Sequence, residues 1–182
     1  TPMIWRGPMV TQALEQLLTD TQWQDVDYLI IDLPPGTGDV QLTLCQKIPV
    51  SGAVIVTTPQ DISLIDARKG LKMFEKVEVP VLGIVENMST HVCKKCGHIE
   101  SIFGEGGGEQ LASEAGVKLL GELPLEKQIR EEMDKGTPTV SSNPMDPASL
   151  AYREIARKMT ATLSMRKKDY SAAFPKIVIQ ND

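Results

Sequence analysis

Four continuous apolar runs, each followed by loop residues and a helical pattern, are the feature that most constrains how this chain can fold. The runs do not alternate with polar residues, which is typical of strands buried on both faces of a parallel sheet. Alternation of strands and helices in this way indicates a doubly wound α/β domain, whose ligands bind beyond the carboxyl ends of the strands. The predicted strands are Val26–Asp32, Gly52–Thr57, Val79–Val85 and Lys118–Leu123.

Three helical patterns support this class of fold. Pro8 stands where it can begin a helix, since proline is favoured in a first helical turn. The chain has 182 residues, of which 41% are hydrophobic, and this is enough for a single core. We expect one domain over residues 1–165 and a peripheral tail over residues 166–182. The apolar faces of the helices are Leu14, Leu17 and Leu18; Leu64, Ala67, Leu71 and Phe74; and Ala148, Ala151, Ile155, Met159 and Leu163.

Charge and cysteine content narrow the class of function. A formal net charge of −5 argues against binding nucleic acid through a general basic surface. No apolar run approaches the roughly 18 residues that span a bilayer, so we expect no membrane partner. The three cysteines, two of them in a C-x-x-C, favour an intracellular metal or redox site over a disulfide framework. The cytoplasm is therefore the expected compartment.

The stretch that follows the first predicted strand suggests a nucleotide site. Asp32 ends an apolar run, where an acid commonly meets a cation, and in nucleotide hydrolases this is the position of the acid that holds Mg²⁺. Gly36 follows four residues later and could bring its backbone N–H close to a terminal phosphate. The alternative is that Asp32 caps a helix and that Pro34-Pro35-Gly36 only turns the chain. No phosphate loop of the type G-x-x-x-x-G-K-[ST] is found in the sequence.

The C-x-x-C of Cys93 and Cys96 suggests a second site. Thiolates at this spacing can bind one metal ion or one edge of a cluster, because a tight turn brings both sulfurs to the same side. Lys94 and Lys95 between them favour the thiolate forms. Cys45 lies in a helical stretch and is expected to be a small buried apolar residue.

Two cysteines supply only half of the ligands that a closed zinc or [4Fe–4S] site needs. Three completions are open: His91 and His98 join the cysteines, a second pair comes from another copy of the chain, or the pair is a redox dithiol. The sequence contains no second C-x-x-C. A zinc-stabilised, non-catalytic interaction module therefore also remains an alternative.

Several separate motifs resemble the Mrp/ApbC family of iron–sulfur cluster carrier ATPases, which are related to the cell-division ATPase MinD and to the nitrogenase iron protein. The resemblance extends to about Met165 and keeps the family's order. It implies a P-loop NTPase fold with a deviant Walker A motif. The motifs are WRGPM (Trp5–Met9), DLPPGTGD (Asp32–Asp39), VTTPQ (Val56–Gln60), ENMS (Glu86–Ser89) and CKKC (Cys93–Cys96).

The resemblance gives a role to each candidate residue of the nucleotide site. Asp32 resembles the Walker B acid, and Gly36 resembles the switch glycine that senses the γ-phosphate. Asn87 corresponds to an asparagine that reads the adenine edge, and Pro124 to a position whose loop packs near the base. For Asn87 the alternative is a turn amide that binds its own backbone.

The resemblance also implies what the cysteines carry. Cys93 and Cys96 from each of two subunits would hold one [4Fe–4S] cluster at a homodimer interface and pass it to apo-proteins. The family's phosphate loop, with its two lysines, is not found in this sequence. We therefore expect ATP with Mg²⁺ to be bound and hydrolysed by an intact protein, and this chain alone to be inactive and incomplete at its N-terminus. A MinD-like positioning ATPase is the remaining alternative.

Overall fold

The computed structural model describes residues 7–33 and 38–166 of the protein. Within these ranges the chain forms seven helices and five strands. The helices are α1 (Gly7–Thr19), α2 (Asp39–Lys47), α3 (Asp61–Lys76), α4 (Gly107–Ala115), α5 (Lys127–Asp134), α6 (Thr139–Ser142) and α7 (Pro147–Ser164). The strands are β1 (Ala53–Thr57), β2 (Val81–Glu86), β3 (His91–Val92), β4 (Ile99–Glu100) and β5 (Leu119–Glu122).

Three of the strands form a parallel sheet. Its order is β1-β2-β5, with β2 in the middle, and both neighbours run parallel to β2. These are the second, third and fourth strands that the apolar runs predicted, so the parallel arrangement is confirmed. The two short strands β3 and β4 form a separate antiparallel hairpin.

The central strand of the sheet is covered on both faces, which explains why β2 is apolar almost throughout, whereas Val56 of β1 is 61% exposed. Ile84 is fully buried in one cluster, against residues of α3 and α4 that include Leu64, Phe74 and Leu111. Its neighbour Val85 lies in a second cluster, into which α7 packs. Because successive residues of a strand point to opposite faces, Ile84 and Val85 join different layers. The α/β class with helices around a parallel sheet is thereby confirmed.

The predicted helices are also found. Pro8 is the second residue of α1, and α2 begins directly after Gly38. Cys45 lies in α2 and is 7% exposed, as expected for a buried small residue. Helices α5 and α6 were not predicted, since both are short and α5 has no buried residue to give it an apolar face.

The first predicted strand, Val26–Asp32, is wrong as a strand. The structure has no regular element there, and its apolar side chains are exposed, with Tyr28 at 54% and Ile30 at 72%. A strand needs a neighbour for its backbone N–H and C=O groups. No strand among the described residues pairs with this segment or with the outer edge of β1, so its apolar character is not matched by burial.

The boundary between the domain and its tail stays a prediction. Helix α7 ends at Ser164, and most of the predicted tail, residues 167–182, lies outside the described ranges. None of the described helices combines the length and the apolar character that crossing a membrane would require.

Candidate functional site

The C-x-x-C occupies the turn of the β3–β4 hairpin. The backbone N–H of Cys93 donates to the carbonyl oxygen of His98 at 2.9 Å, and the N–H of Gly97 donates to the carbonyl oxygen of Cys93 at 2.8 Å. Gly97 has a φ of 73°, a left-handed conformation that glycine adopts without a steric cost. The sequence C-K-K-C-G therefore folds into a tight, locally hydrogen-bonded turn.

This turn is arranged to stabilise a thiolate. The pKa of Cys93 is lowered because the backbone N–H of Lys95 points at its sulfur, followed by the backbone N–H and the side chain of Cys96. Donors aimed at sulfur favour its charged form, which is the form that binds metals. Cys96 is exposed and Cys93 half-buried, so both sulfurs are at or near the surface.

No further ligand completes a metal site within the described part of the chain. Groups of three or more His, Cys, Asp or Glu side chains that could hold a metal ion are not found there. His91 instead places its Nδ1 atom 2.9 Å from the carbonyl oxygen of Leu125. The third cysteine, Cys45, is buried in the core, and burial raises its pKa. Among the described residues, the hairpin thus presents two thiols without a third ligand beside them.

The loops after β2 and β5, which carry Asn87 and Pro124, meet at the carboxyl edge of the sheet. The N–H of Ser89 donates to the carbonyl oxygen of Leu123 at 3.0 Å, and the N–H of Leu125 donates to that of Thr90 at 2.7 Å. The two predicted nucleotide residues therefore stand on joined loops. This is the edge at which open α/β sheets bind ligands.

The side chain of Asn87 accepts a bond from the adjacent backbone, as the alternative interpretation of this residue as a turn amide predicts. Its Oδ1 accepts the backbone N–H of Met88 at 3.0 Å, and Met88 has a φ of 57°. The backbone N–H of Asn87 donates to the carbonyl oxygen of Thr57 at 2.7 Å. The amide NH₂ of Asn87 bonds to none of the described residues, so its two donors are available to a ligand.

The part of the predicted nucleotide site around Asp32 and Gly36 lies only partly within the described residues. Asp32 is an exposed residue, and no described contact joins it to Asn87 or Pro124. Gly36 lies outside the described residues, as do Trp5 and Arg6 of the W-R-G-P-M motif, while Gly7 to Met9 begin α1.

Two contacts of the hairpin and of the residues that flank its segment were not predicted from the sequence. Glu86, the last residue of β2, is 1% exposed and accepts the backbone N–H of Gly108. Lys94 lies 3.7 Å from the carboxylate of Glu126, just before α5. The sequence could have indicated Glu86 as a candidate, because it is an acid at the end of an apolar run, which is the pattern that indicated Asp32.

Comparison with known structures defines the class of protein. A nucleotide-binding protein from Archaeoglobus fulgidus in complex with ADP superposes with a TM-score of 0.67 and 35% identity, covering 79% of this chain and 57% of that one. The cell-division ATPase MinD from Pyrococcus furiosus gives a TM-score of 0.61 at 21% identity, covering 86% and 59%, which shows a shared fold. The fold is that of a P-loop NTPase of the MinD type.

Residues 1–160 match the ParA family, described as NUBPL iron-transfer P-loop NTPases, and the chain belongs to this family. An iron–sulfur cluster carrier protein from Escherichia coli K12 is 62% identical over 161 residues, which are 88% of this chain and 44% of that protein. The mouse iron–sulfur cluster transfer protein NUBPL is 52% identical over 162 residues, covering 89% and 51%. The chain therefore spans about half the length of these relatives.

Proposed function

We propose that the protein binds a [4Fe–4S] cluster through Cys93 and Cys96 and delivers it to apo-proteins. The observation that carries this proposal is the tight hydrogen-bonded turn that holds Cys93 and Cys96 at or near the surface, where the pKa of Cys93 is lowered. A turn that stabilises a thiolate before any metal arrives is suited to capturing iron. The relatives are named as carrier and transfer proteins for iron–sulfur clusters. We infer the identity of the bound group from those names.

The cluster is shared between two copies of the chain in this proposal. One hairpin provides two thiolates, and a [4Fe–4S] cluster takes four. Two hairpins related by a two-fold axis provide the full set, because each copy presents the same surface to the other. The lack of a third ligand near the cysteines in the described residues supports sharing. A cluster held by two bonds per subunit at an exposed turn can also leave more readily than one enclosed in a single chain.

In this proposal the nucleotide binds at the carboxyl edge of the sheet, where the loop that carries the cysteine hairpin begins. Asn87 and Pro124 stand on the joined loops at the sheet edge, where the amide NH₂ of Asn87 can donate to a ring nitrogen of adenine. Asp32 would hold Mg²⁺, directly or through water, and Gly36 would meet the terminal phosphate. ATP binding and hydrolysis are proposed for the intact protein. Nucleotide state would then alter how firmly the two subunits hold the cluster.

The test is metal analysis of protein purified and reconstituted without oxygen. We expect iron and sulfide in equal amounts, about four of each per dimer, and a dimer in light scattering that depends on the cluster. Cys93→Ser and Cys96→Ser should each abolish iron binding, whereas the core variant Cys45→Ala should retain it. Recovery of activity in an apo-enzyme that needs a [4Fe–4S] cluster measures delivery. Zinc without iron or sulfide would instead support a structural zinc module.

A further inference from the structure

A buried acid at the end of the strand that leads to the cysteine hairpin has no part in the function proposed above. Glu86 ends β2 and is 1% exposed. One of its carboxylate oxygens, Oε2, accepts the backbone N–H of Gly108 at 2.5 Å. Gly108 lies in the first turn of α4, whose unpaired N–H groups favour a negative charge. A carboxylate in this position satisfies a backbone donor that the helix itself leaves unpaired.

The packing around this bond admits no side chain at the helix start. A Cβ on Gly108 would lie 2.9 Å from the Cβ of Glu86 and 3.0 Å from Oε2. A Cβ on Gly107 would lie 2.9 Å from the carbonyl oxygen of Pro59, which follows β1. The two glycines therefore let α4 begin directly against the carboxyl ends of β1 and β2.

The bond joins the two ends of the segment that carries the cysteines. The chain leaves the sheet at Asn87, forms the hairpin with Cys93 and Cys96, and returns at Gly107; we name residues 87–107 the cysteine segment. Backbone hydrogen bonds to Thr57, Leu123 and Leu125 hold its first part. Over residues 101–106, by contrast, no hydrogen bond to the sheet is found within the described ranges. The returning part makes its first hydrogen bond to the sheet where Glu86 accepts the Gly108 N–H, just before the buried Leu111 of α4 packs into the core.

We propose that Glu86 is a positioning residue that closes the cysteine segment onto the edge of the sheet and so determines how firmly the cysteine pair is held there. This inference rests on the proposed function for the purpose of the cysteines, although the contact exists without it. Glu86 immediately precedes Asn87, so the same strand end carries both the closure and the residue proposed to bind adenine.

An acid at this position carries a desolvation cost that the helix start offsets only in part. Burial raises the pKa of Glu86, while the Gly108 bond lowers it, and the nearby carboxylates of Glu122 and Glu109 raise it further. The Gly108 bond and the Glu109 charge both come from α4. An apolar side chain would pack there at no such cost but would leave the Gly108 N–H without a partner.

The experiment compares three variants of the metal-free intact protein by hydrogen exchange. Glu86→Ala removes the acceptor, Gly108→Ala forces it away, and Glu86→Gln keeps an uncharged acceptor of the same shape. We expect exchange in the cysteine segment and at Gly108 to rise about tenfold or more in the first two variants, and less in Glu86→Gln. Amides of β1 and β2 should be unchanged in Glu86→Ala. Exchange in the double variant should not exceed that of Gly108→Ala, whose added Cβ also meets the Cβ of residue 86.

Glu109→Gln is the matched control, because it removes a charge from the same helix turn at an exposed position. Alkylation of Cys93 and Cys96 should accelerate in Glu86→Ala and remain native in Glu109→Gln. Equal acceleration of exchange throughout the sheet, or no change in the cysteine segment, would overturn the proposal. All measurements use metal-free protein, so a failure to bind iron would count against the proposed function and leave this result intact.

Discussion

His91 donates from Nδ1 to the carbonyl oxygen of Leu125 across 2.9 Å. The acceptor is a carbonyl oxygen, so Nδ1 must carry the proton. This bond joins the first strand of the cysteine hairpin to the loop after β5, next to Pro124. His91 therefore anchors the hairpin, and its Nδ1 is not available as a metal ligand.

Loss of this anchor should loosen the hairpin without unfolding the domain. We expect His91→Ala to increase hydrogen exchange over residues 91–100 about fivefold, the effect of one typical hydrogen bond, and to shorten the lifetime of a bound cluster. Asparagine can place an N–H donor close to the position of Nδ1, so His91→Asn should restore most of the protection. The exposed His98 makes no side-chain hydrogen bond in the described structure, and His98→Ala should behave as native. If His98→Ala lost the cluster and His91→Ala kept it, His98 would be a ligand.

Asn87 has two roles that substitution can separate. Its Oδ1 supports the left-handed Met88, while its amide NH₂ is proposed to bind adenine. In the intact protein we expect Asn87→Ala to weaken ADP binding about tenfold, as measured by calorimetry, and also to lower stability. Adding Met88→Gly should recover stability, because glycine accepts a positive φ without strain, but should not recover affinity. Recovery of both would show that Asn87 acts only on the turn.

The sequence pattern predicted those parts of the fold that local periodicity determines. The runs around Ile84 and Leu120 became parallel strands with helices on both faces, and the run around Ile55 pairs with β2 although its Val56 is 61% exposed. The run around Ile30 has the same apolar character but is exposed, since a strand also requires a neighbour, and sequence pattern does not reveal which segment provides it. Strands β3 and β4 have two residues each, too few for any periodicity. The bond from Glu86 to Gly108 spans 22 positions, so only the folded chain reveals it.

Two glycine substitutions should change stability in opposite directions. A Cβ on Gly83 of β2 would lie 2.6 Å from both the Lys118 carbonyl oxygen and the Cγ of Leu120. Gly83→Ala should therefore lower the free energy of unfolding by about 2–3 kcal/mol. A Cβ on Gly70 within α3 would meet only the Cδ1 of Ile55 at 3.5 Å, so Gly70→Ala should raise it by about 0.5–1 kcal/mol. Urea unfolding measures both changes, and a neutral Gly83→Ala would show that β2 and β5 pack less closely than described.

Glu86 should give the protein a distinct dependence of stability on pH. Its pKa is raised in the folded state by burial, and secondarily by Glu122 on β5 and Glu109 on α4, against the lowering effect of the Gly108 bond. A group with a raised folded pKa contributes its stability below its unfolded pKa and loses it as pH rises through the folded value. The free energy of unfolding of the native protein, minus that of Glu86→Gln, should therefore fall as pH rises from 4.5, the ordinary pKa of this side chain, through the raised folded value. Taking this difference removes the opposite contribution of carboxylates with lowered pKa values, such as Glu114 beside Arg68. Urea titrations at several pH values measure it, and a difference that grows with pH would mean that the ionised carboxylate is favoured by the helix start more than burial disfavours it.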